Sequence, residues 1–308
     1  MDNCVDESDS LSGDEPALIY LRQQTTIERA VQVTGFGYWS GKDVCVEFRP
    51  AEPSTGIVFV RCNGDAPKRI PALVANRIEV PRRTNLMCGG ASVEMVEHIM
   101  AALAGIRVDN CEVWVDSAEM PACGGSSQLF VDAILSAGIV EQNAQRSRIV
   151  ITDITRVGNE DCWVEARPSR VDGLSIKYRL DYAECPAIGR QTLEMAVTPE
   201  SFEKELASAR TFLLKPEADW LQQQGLGARV TYQDVLVFDE DGPLENELRY
   251  PDECVRHKAL DLVGDLALAG CDFVGRVTAH RSGHRLNAEL VSALLAENQV
   301  VESIRRTA

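Results

Sequence analysis

Most of the side chains in this sequence that could do chemistry lie in one run, Cys254-Val255-Arg256-His257-Lys258-Ala259-Leu260-Asp261-Leu262-Val263-Gly264-Asp265. Its apolar residues recur with a period near 3.6, so Val255, Ala259, Leu262, Val263 and Leu266 form one stripe and the run predicts a helix. On that helix His257 and Asp261 stack one turn apart on one face. An imidazole and a carboxylate so placed can hold one metal ion, and a zinc site usually takes a third protein ligand. Asp265 lies one further turn along, and Lys258 sits beside His257. A solvated, salt-bridged face is the ordinary explanation of such a cluster. Here the charges share nearly the same helix with the buried stripe, which favours a lined cleft.

Histidine is scarce enough to search for partners: His98, His257, His280 and His284 are the whole set. His98 stands near the start of a second helical pattern, which ends at a glycine C-cap, Gly105. His284 follows an apolar strand in Ser282-Gly283-His284. Three of the four histidines thus fall on helices or at element ends beside other ionisable groups.

The elements that must position them come in two similar series. In the first half, strands are expected at 20–33, 44–48, 57–62, 78–80 and 110–115, and helices at 96–105 and 129–137. Gly35–Gly41 has the wrong glycine spacing for a phosphate loop and reads as a turn between strands. Residues 82–90 are polar and glycine-rich. Residues 141–147 are polar and non-periodic, which places a domain boundary there. In the second half, strands are expected at 149–154, 162–166, 174–178, 235–238 and 273–278. Helices are expected at 202–209, over the central run and at 286–297, with an amphipathic stretch at 215–224. Residues 239–243 form an acidic turn. The expected fold is α+β: two domains of like topology, 17–143 and 148–308. Each would layer helices on a mixed sheet, with an active-site cleft between the domains.

Composition narrows the function. A chain of 308 residues is long enough for two cores. Its 45% hydrophobic and 25% charged residues are those of a globular protein. A net charge of −16 argues against a nucleic-acid surface. Residues 1–16 carry Asp2, Asp6, Glu7, Asp9, Asp14 and Glu15 without a basic side chain and read as a disordered acidic tail. No apolar run reaches the roughly 18 residues of a membrane span, and no secretory signal is expected. The 10 cysteines contain no C-x-x-C pair and read as buried, reduced thiols of a cytoplasmic protein.

Five motifs in order carry a resemblance: Thr34-Gly35-Phe36-Gly37; Val96-Glu97-His98 followed by Asp109-Asn110; Ala209-Arg210-Thr211-Phe212; the central run; and Ser282-Gly283-His284 with Asn287. Together they resemble the UDP-3-O-acyl-N-acetylglucosamine deacetylases, zinc hydrolases of the committed step of lipid A synthesis, from about Thr25 to the last helix. The resemblance implies Zn2+ held by His98, His257 and Asp261, with a fourth position open to water. It implies Glu97 as general base and a protonated His284 as oxyanion stabiliser or proton donor, oriented by Asp265. Thr211 would offer its hydroxyl to the oxyanion, Lys258 positive potential, and Phe212 a substrate contact. Without the motif, Thr211 would read as a turn cap and Lys258 as a surface residue. The implied substrate is a nucleotide sugar with a fatty acyl chain, and the implied state is a cytoplasmic monomer.

Several positions depart from the family pattern. Cys123-Gly124-Gly125-Ser126 lacks a carboxylate, Trp39 replaces a histidine, Met87 a cysteine near the metal, and His280 an aromatic; Gly225–Tyr232 lacks the Gly-Gly-Ser pattern. Phe212, Leu213, Leu214, Trp220, Leu221 and Leu226 are the expected lining of an acyl tunnel. Two other functions stand beside it: a zinc deacetylase of another N-acetylated sugar, which fits the same motif set, and a non-catalytic ligand-binding relative, which would have no reason to keep a base and an acid around an open metal position.

Overall fold

The computed structural model of the chain describes residues 22–62 and 66–307, with side chains through Asn298. The expected acidic tail, and the start of the first expected strand and domain, lie outside the described residues.

The first half opens with β1 (Gln23–Ile27), β2 (Val31–Phe36), β3 (Asp43–Pro50), β4 (Ile57–Arg61) and β5 (Lys68–Pro71). A small three-stranded sheet follows: β6 (Arg77–Ile78), β7 (Asn85–Cys88) and β8 (Ala91–Val93). Then come α1 (Glu97–Gly105), β9 (Cys111–Val115), α2 (Gln128–Ala137) and β10 (Ile139–Gln145). The second half runs β11 (Arg148–Val150), β12 (Thr155–Gly158), β13 (Trp163–Arg167), β14 (Leu174–Tyr182) and β15 (Gly189–Ala196). It continues with α3 (Pro199–Glu205), β16 (Phe212–Leu214), α4 (Lys215–Gln223) and β17 (Leu236–Phe238). It closes with α5 (Glu253–Leu266), β18 (Asp272–His280) and α6 (His284–Thr307).

The two large sheets are built to one plan. The first has strand order β2-β3-β9-β4-β5, the second β12-β13-β18-β14-β15 with β11 beside β18. In both, the strand that follows the long helix enters the middle of the sheet. It runs antiparallel to the second strand and parallel to the third. In both, a helix precedes that strand and another follows it. The expectation of two halves of like topology therefore holds at the level of strand order and direction. Within the sheets, alternating burial along β3 marks one face against the core and one away from it.

The halves meet where α1 packs on α5. A Cβ at Gly264 would lie 2.2 Å from the carbonyl oxygen of Glu97, so only glycine lets the two backbones approach this closely. Gly105 likewise makes room for the Phe202 ring. Apart from Arg256 and Lys258, every residue of α5 is buried. The solvated-face explanation of its charges is thereby excluded.

Where elements differ from expectation, the causes are local. The polar stretch 139–145 is not a linker but a strand paired with β1. β15 carries only Leu193 and Met195 as large apolar residues and half-buries one face, too weak a pattern to read. α3 starts earlier than expected, because Thr198 and Ser201 form a capping box at Pro199. The segment 82–90 holds β7 and the turn at Gly89 and Gly90, both at positive φ, that leads into its antiparallel partner β8. Of the described cysteines, Cys62 is exposed and only Cys111, Cys123, Cys185 and Cys254 are buried, so the expectation of buried thiols holds for part of the set.

Candidate active site

α5 presents His257 and Asp261 one turn apart, and α1 presents Glu97 and His98 in its first turn. His257 Nδ1 lies 3.1 Å from the carbonyl oxygen of Ala209. A carbonyl only accepts, so Nδ1 carries the proton and Nε2 keeps a lone pair. That Nε2 is 3.5 Å from Asp261 Oδ1, and His98 Nε2 is 3.7 Å from the same oxygen. One ligand atom from each of the three residues falls within 4.8 Å of the others, and all three residues are buried.

The electrostatics fit a cation. Asp261 Oδ2 accepts from Lys258 Nζ at 2.7 Å, whereas Oδ1 is buried with no hydrogen-bond partner. A buried ionised oxygen without a donor is costly, and a metal ion among these three atoms removes that cost. Burial alone would raise the Asp261 carboxyl, but Lys258 and the neighbouring imidazoles hold it well below the usual carboxylate range. Burial and the adjoining His257 push His98 down to about 3, and burial lowers His257 also. Both imidazoles are thus neutral near pH 7 and open to a metal. His98, His257 and Asp261 form a candidate metal site.

Two groups flank it. Glu97 is buried, and desolvation, reinforced by Asp261, pushes its carboxyl up to about 7. Its Oε2 accepts the Thr84 backbone N–H at 3.0 Å. His284, at the start of α6, has Nδ1 2.8 Å from Asp265 Oδ2 and Nε2 4.0 Å from Asp261 Oδ2. Burial by itself would lower this imidazole, but the Asp265 carboxylate outweighs it and the pKa rises to about 9. Asp265 is fully buried and also accepts from Thr84 Oγ1 at 2.6 Å and Asn287 Nδ2 at 2.8 Å.

Thr211 and Phe212 come from the segment before α4. Arg210 is buried and makes a two-oxygen ion pair with Glu253 in the first turn of α5, tying this segment to the helix that carries the ligands. The Thr211 N–H donates to Gly125 O at 2.7 Å. Gly125 has φ +73°, and a Cβ there would lie 2.7 Å from the Tyr38 hydroxyl, so this contact needs glycine. The Phe212 ring stands edge-on to His257 with centroids 6.5 Å apart. Lys258 acts first on Asp261, through their ion pair, rather than as a free charge.

A cavity of about 910 Å³ joins these groups: Glu97, His98, Thr211, Phe212, His257, Lys258, Asp261 and His284 all line it. Of the expected tunnel residues, Phe212, Leu213, Leu221 and Leu226 line it as well. Leu214 does not; it packs on the main core. Trp220 is 56% exposed on the outer side of α4. The apolar wall is completed by Met95, Ala218, Val230, Val235 and Val237. The Val235/Val237 alternation is the one sequence signal that points to these. Trp39 also lines the cavity, with its backbone N–H held by Glu119. Met87 is 46% exposed and lies outside the lining, and His280 packs against Trp163 instead of joining the other histidines. Sequence reasoning misses Thr84, which stands in a polar segment without periodicity.

The model of the UDP-3-O-acyl N-acetylglycosamine deacetylase family matches residues 24–296. Proteins of Brucella ovis, Brucella canis and Brucella melitensis biotype 2, each named UDP-3-O-acyl-N-acetylglucosamine deacetylase, are 39% identical to this chain over 283 residues. The match covers 91% of this chain and 98% of each relative.

Proposed function

The chain belongs to the UDP-3-O-acyl-N-acetylglucosamine deacetylase family, and we propose that it cleaves the acetamide of its acylated UDP-sugar with one zinc ion held by His98, His257 and Asp261. As a member of this family it is a deacetylase of lipid A biosynthesis. The observation that carries the zinc reading is the unpartnered Asp261 Oδ1 between two buried imidazole nitrogens. Two nitrogens and one carboxylate with space beside them suit a catalytic zinc. When bound, that ion supplies Lewis-acid polarisation of the amide carbonyl and a lower pKa for water.

The chain's own residues do the rest. Glu97 takes a proton from the water whose oxygen adds to the carbonyl carbon. Thr211 donates its hydroxyl to the oxyanion that develops. His284, protonated through its pairing with Asp265, gives its Nε2 proton to the amine nitrogen as the carbon–nitrogen bond breaks, leaving acetate and a free amine. Lys258 keeps Asp261 ionised. Phe212 holds the His257 ring and forms the start of the substrate wall. Glu97 and His98 come from the first half and the other site residues from the second, which supports a division into domains 17–143 and 148–308 with the site at their seam. No helix among the described residues is long and apolar enough to cross a membrane. A cytoplasmic monomer is the state proposed.

The pH profile tests the acid and base. Glu97 must be ionised, so kcat/KM falls as pH drops below about 7, and a bound cation draws that limb lower still. His284 must be protonated, so the rate falls as pH rises through about 9. Asp265→Asn removes the charge that raises His284, and the basic limb moves toward the ordinary histidine value of about 6.5. A basic limb that stays in place would assign it to a group other than His284.

Acetate release from acylated and non-acylated UDP-N-acetylglucosamine tests the substrate. Each methylene buried against the apolar wall contributes about 0.8 kcal/mol, so the acylated substrate should bind far more tightly. Leu221→Asp or Val237→Asp should raise KM for the acylated substrate by at least about tenfold and change little for the other. Equal losses on both would make this wall structural and place the chain elsewhere.

A further inference from the structure

We propose that Thr84 is a positioning residue of the reaction, setting the base carboxylate on α1 and the acid's carboxylate on α5 in register with one another. This rests on the roles given above to Glu97 and His284. Thr84 spends all three of its hydrogen-bonding groups on this task. Its N–H donates to Glu97 Oε2 at 3.0 Å, and its carbonyl accepts the N–H of Val96, the residue before α1, at 3.1 Å. Its Oγ1 donates to Asp265 Oδ1 at 2.6 Å. The residue is 1% exposed, so water does not compete for these bonds.

The geometry gives each bond a chemical consequence. With Oε2 of Glu97 held by a backbone donor, the carboxylate cannot rotate freely, and its other oxygen is left for the water. With Oδ1 of Asp265 occupied by Thr84, Oδ2 is left for His284 Nδ1 and Asn287 Nδ2. The imidazole is then held by one oxygen in one orientation, with Nε2 turned toward the metal ligands, 4.0 Å from Asp261 Oδ2. A carboxylate that fixes a histidine needs its own partners to stay fixed. Thr84 hydrogen-bonds both to Glu97 and to Asp265, the carboxylate that holds His284.

Thr84→Val keeps the shape and both backbone bonds and removes only the Oγ donor. Its kcat should fall about 10- to 100-fold, the size usual for partners of this kind, with KM and bound metal unchanged. Thr84→Ser should restore most of the rate. If the valine variant does not fold, Thr84→Ala is measured in the same way. In a His284→Ala background, Thr84→Val should add less than about twofold, because the group it orients is gone. A valine variant with wild-type kcat overturns the proposal, and so does a loss that is undiminished in the His284→Ala background. His284→Ala alone separates the two readings. Full activity there removes the acid role, whereas an impaired His284→Ala beside an unimpaired Thr84→Val removes only the role of Thr84.

Discussion

Asp261→Ala should purify with almost no bound metal and almost no turnover, and His98→Ala and His257→Ala should follow it closely. A zinc site is worth roughly 10–16 kcal/mol of binding free energy, so loss of one of three protein ligands weakens the Kd by at least about a hundredfold. Asp261 should be the worst of the three for a reason specific to this site. Its carboxylate pairs with Lys258 at 2.7 Å, and both lie among the ligands. Without the carboxylate the ammonium remains, a positive charge facing the cation's position. The histidine variants leave that pair intact. Metal content after dialysis against a chelator measures the effect, with the folded state checked by melting temperature. Full occupancy in all three variants would refute the ligand set.

Part of that ligand set is legible in the sequence because helices carry their own geometry. The spacing of His257 and Asp261 dictates a shared face whatever the tertiary fold, whereas Gly105, read as the C-cap after His98, is the last residue inside α1, with Ile106 at the cap, and its missing side chain serves the Phe202 contact. Knowing that His98 comes to the same point needs the contact of α1 with α5, which hangs on Gly264. Glycine in a helix looks like a defect until the facing backbone is seen 2.2 Å from where a Cβ would be. The family resemblance bridges that gap; periodicity does not.

What escapes the sequence shares one property, that the side chains act through elements without a strong period. Thr84 sits in a turn between short strands, and its importance lies in where three hydrogen bonds go. β10 and β15 are strands with few apolar residues, so alternation barely shows. The cavity wall is legible only in part: 212–214 is plainly apolar, but only the fold shows that Phe212 and Leu213 line the cavity while Leu214 packs on the core. The like topology of the halves is faint in sequence, carried by the matching helix ends Ala102-Leu103-Ala104-Gly105 and Ala267-Leu268-Ala269-Gly270. It is plain once both sheets have the same strand order.

Glu97→Gln should keep its metal and its fold while losing about a hundred- to ten-thousandfold in kcat, the range typical of a general base. The substitution preserves shape, and its amide oxygen can still accept the Thr84 N–H. What it removes is basicity. That basicity is unusual: burial first, and the Asp261 charge after it, lift the carboxyl up to about 7, near the pH at which it works. The same burial makes an ionised Glu97 a burden on the fold. Its folded-state pKa is raised above the unfolded value, so in the metal-free protein stability falls as pH rises from about 4.5 through about 7. The glutamine variant carries no such penalty. Its metal-free form should therefore melt no lower than the wild type at pH 8 while its holo form is nearly inactive. Near-normal turnover would remove Glu97 as the base. Loss of metal would instead make Glu97 part of the binding site.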